Sequence, residues 1–354
     1  MTATLRVVLD QLVAPTTTEL AEASRELTRA LVAAAPRGAD VGAIVPRGEF
    51  DAPPGLADVT TLMLPRRELA ASWPLGVAPG VGPGLIHAPT LLAPLVKHDR
   101  VHETHQIVVT LWDLRPWQEP DALPRAEVLW HRAMLKRAQK HADAIVVPTH
   151  AMAETLAQIA PKAATRVRVI AGAPPADFRV PTDAAGRLRT LGLPGRVVVL
   201  DAPDPVAFGA VPADATAAVF VADAHAMETA RAVAAAAGVA ADRVIPVPAA
   251  DRHDRAAVLS VADAFVATSR VAGWPWRGVE ALAAGVPVAA VDTPTHREVF
   301  AEAAVLSATG DLRGAVAAVR GPAATRLRVL ASDRGRSFSW REAAERTWAL
   351  HAEL

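Results

Sequence analysis

The 354-residue sequence contains no cysteine, which removes disulfides, thiolate nucleophiles and thiolate metal sites together. It has no excess of either charge, with 37 Lys plus Arg against 37 Asp plus Glu, so a broad electrostatic surface for nucleic acid is not expected. It lacks long apolar runs as well. Alanine-rich stretches such as "ARAVAAAAGVAA" are broken by charge and too weakly apolar to be membrane spans. The N-terminus "MTATLRVVLDQLV" enters an apolar strand at once, with no basic region ahead of it, so no signal peptide is expected. A cytoplasmic location follows, with peripheral contact at the inner face of a membrane left open.

What is present is a soluble globular composition, 51% apolar and 21% charged. The length exceeds one core and predicts two domains of roughly 150 to 200 residues each. Short apolar runs alternate with amphipathic segments, the pattern of repeated βα units on a parallel sheet. In the first half the runs are Leu5 to Leu12, Val41 to Val45, Val59 to Leu64, Leu85 to Ala88, Ile107 to Leu111, Ala144 to Val147 and Val167 to Ile170. Leu20, Ala23, Leu27 and Leu31 share one face of a helix expected over Thr18 to Ala35, and a second helix is expected over Arg125 to Ala142.

The Pro- and Gly-rich "GAPPADFRVPTDAAGRLRTLGLPG" breaks this pattern and marks a boundary. A second alternating series begins at "RVVVLDA" (Arg196 to Ala202). The expected organisation is residues 1–174, residues 175–336 and a closing helix over 337–354. The expected fold is α/β, with two Rossmann-like domains facing a central cleft at the carboxyl ends of both sheets.

The strand "AFVAT" should deliver Ser269 to Arg277 to the carboxyl edge of the second sheet. Gly273 permits close backbone approach, and the following helix aims its N–H groups at an anion such as phosphate. Arg270 and Arg277 add charge. Glu280, one turn into the helix, could accept hydrogen bonds from paired ribose hydroxyls or could simply complement the helix dipole. Trp274 and Trp276 could stack on a ligand or pack under the loop.

These residues resemble the retaining, nucleotide-sugar-dependent glycosyltransferases of family 4, of the glycosyl transferases group 1 type, which have the two-domain GT-B fold. The family's E-x7-E motif lies in a stretch like "S-x-x-E-G-F-G-L-P-x-x-E-A-M-A-x-G-x-P-V". This chain has "VADAFVATSRVAGWPWRGVEALAAGVPVAAVDTPTHREV", aligned without a gap. "GLIHAPTLLAPL", "IVVTLWDL", "LKRAQKHADAIVVPTHAMAETL", "RVRVIAGAPPADFRVP" and "FSWREAAERTWALHAEL" resemble further family segments in the family's order. The last looks like its closing helix, which crosses back to the N-terminal domain.

The resemblance implies sugar transfer from a nucleoside diphosphate sugar with retention at the anomeric carbon and without a cofactor or metal. The acceptor is unspecified, whether a sugar, a lipid-linked or a small molecule. The resemblance implies that Glu280 binds the donor ribose, and it matches Asp113 to a residue of the family's segment; with the residues read above, the candidate catalytic residues are Asp113 and Arg277 and the candidate donor-binding residues are Glu280, Gly273, Trp274, Arg270 and Ser269. The departures gather at the same place. The first motif glutamate is Ala272. "LDAPDPVAFGAVPADAT" lacks the family's Arg and Lys, and carries Asp201 and Asp204, which would repel phosphate if they pointed inward. "QLVAPTTTEL" lacks the glycine-rich loop, and Trp112 replaces a histidine. A second reading is therefore a family member without catalysis, serving as a binding or partner subunit beside an active glycosyltransferase.

Two smaller constellations stand apart. "HETH" at His102 to His105 lacks the spacing and the supporting ligands of a zinc site. His87, His98, His105 and Asp113 could meet in the cleft. The basic helix bearing Arg132, Lys136, Arg137 and Lys140 reads as a solvated face or as a patch for anionic lipid.

Overall fold

The computed structural model describes residues 3–99 and 105–354. The chain forms two compact units. Unit 1 takes the chain up to Gly172 together with Val271–Trp274 and Ser339–Leu354, and unit 2 takes Ala173–Arg270 and Pro275–Phe338.

Unit 1 is built on β1 (Ala3–Val8), β2 (Ala39–Val45), β3 (Asp58–Thr61), β4 (Leu85–Ala88), β5 (Gln106–Thr110), β6 (Ala144–Val147) and β7 (Val167–Val169). They form one seven-stranded sheet in the order β3-β2-β1-β4-β5-β6-β7, and every pairing is parallel. The sequence runs explain this. Ala-Ile-Val-Val in β6 is buried at all four positions, as a parallel strand covered on both faces requires. The chain reverses its direction of winding between β1 and β4, the place where open α/β sheets bind ligands.

Thr17 caps the helix Thr18–Ala33 by accepting from the Leu20 N–H, which satisfies one of the orphan donors at the helix start. The closing helix Trp340–Glu353, capped by Ser339, packs on it, and the Trp348 Nε1–H donates to the Leu31 carbonyl at 3.0 Å. Where an apolar run was expected to continue to Leu12, β1 instead ends at Val8 and a short helix, Asp10–Val13, follows. Asp10 and Gln11 in that run are polar, and their side chains bond each other locally.

Unit 2 carries β8 (Val197–Leu200), β9 (Thr216–Val221), β10 (Val244–Pro248), β11 (Ala262–Ala267), β12 (Val288–Val291) and β13 (Ala304–Ser307). The order β10-β9-β8-β11-β12-β13 is again parallel throughout, with its reversal between β8 and β11. Val198, Leu200, Val219, Val266 and Ala289 form the centre of its apolar core. Both units are thus Rossmann-like, two parallel sheets flanked by helices. Among the described residues no helix is long and apolar enough to cross a membrane.

Candidate functional site

In unit 2, β11 ends beside the β8–β11 reversal and leads directly to Ser269 and Arg270. Arg270 is exposed, and its Nη2 lies 3.2 Å from where a side chain at Gly310 would begin. The helix Trp276–Ala283 then turns back along the sheet. Its seat is fixed by Gly278: a Cβ there would fall 2.6 Å from the Phe300 ring, so only glycine lets the helix approach that closely.

This helix carries a buried ion cluster. Glu280 is 2% exposed and Arg277 5%, while Arg255, from the helix Arg252–Ser260, is fully buried. Arg255 Nε lies 3.1 and 3.0 Å from the two Glu280 oxygens, and its Nη2 donates to Oε1 at 2.7 Å. Arg277 Nη1 lies 2.9 and 3.0 Å from the same pair. Arg255 Nη1 also donates to the Ala249 carbonyl, just past β10, and the Arg277 guanidinium sits 6.0 Å from the Phe220 ring centroid. Glu280, which from sequence could face ribose or complement the helix dipole, and Arg277, a candidate for phosphate, bind each other in the structure. Arg255, which reasoning from sequence missed, joins them from 25 positions upstream. An arginine in the otherwise apolar run "RAAVLS" was the available signal.

After β8, Asp204 turns away from any phosphate role by capping the helix Pro205–Gly209, its Oδ1 accepting from Val206 N at 2.6 Å and Ala207 N at 3.3 Å.

In unit 1, Val271–Trp274 lies along the segment that follows β5. Leu114 N donates to the Ala272 carbonyl at 2.9 Å, and Trp274 N donates to the Trp112 carbonyl at 2.8 Å, so Asp113 and Gly273 pair as an isolated antiparallel bridge. A Cβ on Gly273 would sit 2.7 Å from that of Asp113, which is why glycine stands here. The Asp113 carboxylate accepts from the Arg115 N–H at 2.9 Å. Ala272 is buried in the apolar cluster of unit 1. Trp274 is 5% exposed and its Nε1 would lie 2.9 Å from a Cβ at Gly172. Trp112 packs edge-on against Trp340 and donates to the Pro89 carbonyl at 2.8 Å. Trp276 is half-buried.

A second polar group, also missed from sequence, occupies the β1–β4 reversal. Asp10 is fully buried; its Oδ2 accepts from Arg66 Nε at 2.7 Å and Gln11 Nε2 at 2.8 Å, and Thr90 lies 3.5 Å from its Oδ1. Burial raises its carboxyl above the usual range while Arg66 pulls it back.

Of His87, His98, His105 and Asp113, which could have met at one place, His98 and His105 come together edge-on with ring centroids 4.8 Å apart, while His105 and Asp113 do not. His105 precedes β5 and Asp113 follows it, so the strand's length, about 3.3 Å per residue, separates them. His98 Nε2 instead meets Asp143 at 3.0 Å, His105 accepts from the Gly84 N–H at 3.0 Å, and His87 stands edge-on to His351 with centroids 5.7 Å apart. His102 of the "HETH" motif lies outside the described residues, and among those described no group of three metal-ligating side chains occurs. On the basic helix, Arg132 donates to the Pro116 carbonyl and Arg137 to that of Leu95, whereas Lys136 and Lys140 are exposed.

Residues 217–321 match the family described as Glycosyl transferases group 1. No curated protein matches the chain in sequence. Among solved structures, sucrose-phosphate synthase from Thermosynechococcus elongatus is 18% identical with a TM-score of 0.71, over 99% of this chain and 98% of that one. Anabaena Alr3699/HepE, solved with UDP and glucose, is 16% identical with a TM-score of 0.68, over 99% and 100%. The catalytic domain of starch synthase IV from Arabidopsis thaliana, bound to ADP and acarbose, is 11% identical with a TM-score of 0.62, over 99% of both chains. The likeness is one of fold, spanning both Rossmann-like units, and is consistent with GT-B.

Proposed function

We propose that the chain is a glycosyltransferase that takes a sugar from a nucleoside diphosphate donor and passes it, with retention, to an acceptor hydroxyl. The observation that carries this reading is the match of residues 217–321 to the glycosyl transferases group 1, a span that includes β11 and the helix Trp276–Ala283. In such a transfer the bond from the anomeric carbon to the phosphate oxygen breaks, the bond to the acceptor oxygen forms, and the acceptor proton is lost. The chief demand on the protein is to stabilise the departing diphosphate.

Arg270 is our choice for that charge, because it is exposed at the carboxyl edge next to a sheet reversal. Ser269 stands beside it. Asp113 is assigned to a sugar or acceptor hydroxyl, with Gly273 and Trp274 holding the loop opposite it in unit 1. Arg277 and Glu280 are assigned to the architecture around the donor position. Lys136, exposed on the basic helix, is assigned to an anionic lipid contact. Since Alr3699/HepE holds UDP and glucose, UDP-glucose is the first donor to try, followed by GDP- and ADP-sugars. Release of nucleoside diphosphate over a panel of sugar and lipid-linked acceptors tests the reading.

A second reading, a non-catalytic binding or partner subunit, is favoured by one observation: Ala272 is packed into an apolar cluster where the resemblance places a sugar-facing glutamate. Absence of binding to any of the three nucleotides at millimolar concentration would select it.

A further inference from the structure

We propose that Arg255 determines nucleotide specificity as a positioning residue: its guanidinium occupies the accepting edge of Glu280, so that ribose hydroxyls contribute nothing to binding. The inference rests on the donor reading above. A carboxylate offers about four lone-pair sites, and three nitrogens, Arg255 Nε and Nη2 and Arg277 Nη1, share the two Glu280 oxygens at 2.7 to 3.1 Å. Glu280 is also only 2% exposed, which leaves a third donor little access to it.

Displacement is unfavourable for physical reasons. Ribose hydroxyls are neutral donors, and a neutral hydrogen bond is about half as strong as the charge-assisted bonds already in place. Prising Arg255 away would also strand a cation inside unit 2, since the residue is fully buried, and an unpaired buried charge is costly. Its other end is held as well, by the Ala249 carbonyl at the carboxyl end of β10. Arg255 therefore ties Glu280 to the end of β10. Binding energy has to come from the phosphates and the base, and a sugar lacking its 2′ and 3′ hydroxyls should be accepted as readily as ribose.

Calorimetric titration of the full chain with UDP, GDP and ADP, and with their 2′,3′-dideoxy counterparts, reads this directly. The wild type should hold both forms within about twofold of each other, while Arg255→Met, which leaves Glu280 paired with Arg277, should gain about a tenfold preference for ribose. If Arg255→Met melts below the assay temperature, Arg255→Gln, which keeps a donor for Ala249, gives the same comparison. A wild-type preference for ribose of tenfold or more overturns the proposal, as does a folded variant that shows no preference. Should no nucleotide bind the wild type, the donor reading fails, and the variant decides this inference separately: ribose-selective binding gained on removing Arg255 sustains it, and continued silence overturns it.

Discussion

Ala272 donates its backbone N–H to the side-chain oxygen of Gln118 at 2.7 Å, and its methyl group lies in the same apolar cluster as Leu111, Leu114 and Ile145. Position 272 is thus a packing position. Ala272→Glu should therefore not restore a catalytic carboxylate. It should bury a charge without a cation and cost about 3 kcal/mol. Urea denaturation measures the loss, and an unchanged midpoint together with faster sugar transfer would refute this account of the loop.

Glu280 pairs with both Arg255 and Arg277. Glu280→Gln leaves two buried guanidiniums facing a neutral amide, and the expected cost is about 3 to 5 kcal/mol. UDP affinity in the folded fraction should stay within about twofold. A thermal melt with a parallel nucleotide titration separates stability from binding. A stable variant with much weakened nucleotide binding would return Glu280 to a direct role in the donor site.

The His87 and His351 pair makes unit 1 sensitive to acid. Burial lowers His87 to about 3, with His351 adding repulsion, and lowers His351 to about 4. Among the described residues, His87 Nδ1 and His351 Nε2 find no hydrogen-bond partner. Both groups take up protons more readily in the unfolded chain, near the ordinary value of 6.5. Stability should be full above pH 6.5 and should fall as pH drops from there toward 4, by about 1.4 kcal/mol per pH unit for each histidine. His351→Leu should remove about half of that slope in urea denaturation between pH 6.5 and 5. A wild-type stability independent of pH over this range would contradict the burial argument.

Ala301 has φ 46° and ψ −129°, the one non-glycine residue with positive φ among those described. That region costs a residue with a Cβ about 1 to 3 kcal/mol, while glycine gives back about 0.4 to 1 kcal/mol through the freedom it adds to the unfolded chain. Ala301→Gly should stabilise the protein by about 1 kcal/mol. A lowered melting temperature would show that the backbone relaxes at this position.

Most of the fold was legible because its determinants are local. The apolar runs that became β4, β6 and β12 coincide with strands buried at nearly every position, and turn-forming stretches separate them from the helices. Polar residues inside an apolar run were harder to interpret. Asp10 and Gln11 end β1 early because their side chains bond to Arg66, Thr16 and each other, and the partner Arg66 is distant in sequence. The candidate site suffered from the same difficulty. The sequence singled out the segment around Ser269 to Glu280, yet it could not reveal that Arg255 reaches Glu280 or that Ala272 docks on Gln118. Both depend on tertiary neighbours that spacing does not encode. His105 and Asp113 illustrate the converse: they are close in sequence but lie at opposite ends of β5.

On the proposed reading, the carboxyl edge of unit 2 receives the diphosphate of a nucleotide sugar through Arg270. Calorimetric titration of the full chain and of Arg270→Ala with UDP-, GDP- and ADP-glucose tests it most directly. At least one donor should bind the wild type, and the variant should bind it about tenfold more weakly, the loss of one charge-assisted contact. Failure of all three donors to bind, or an Arg270→Ala affinity equal to the wild type, would contradict the claim.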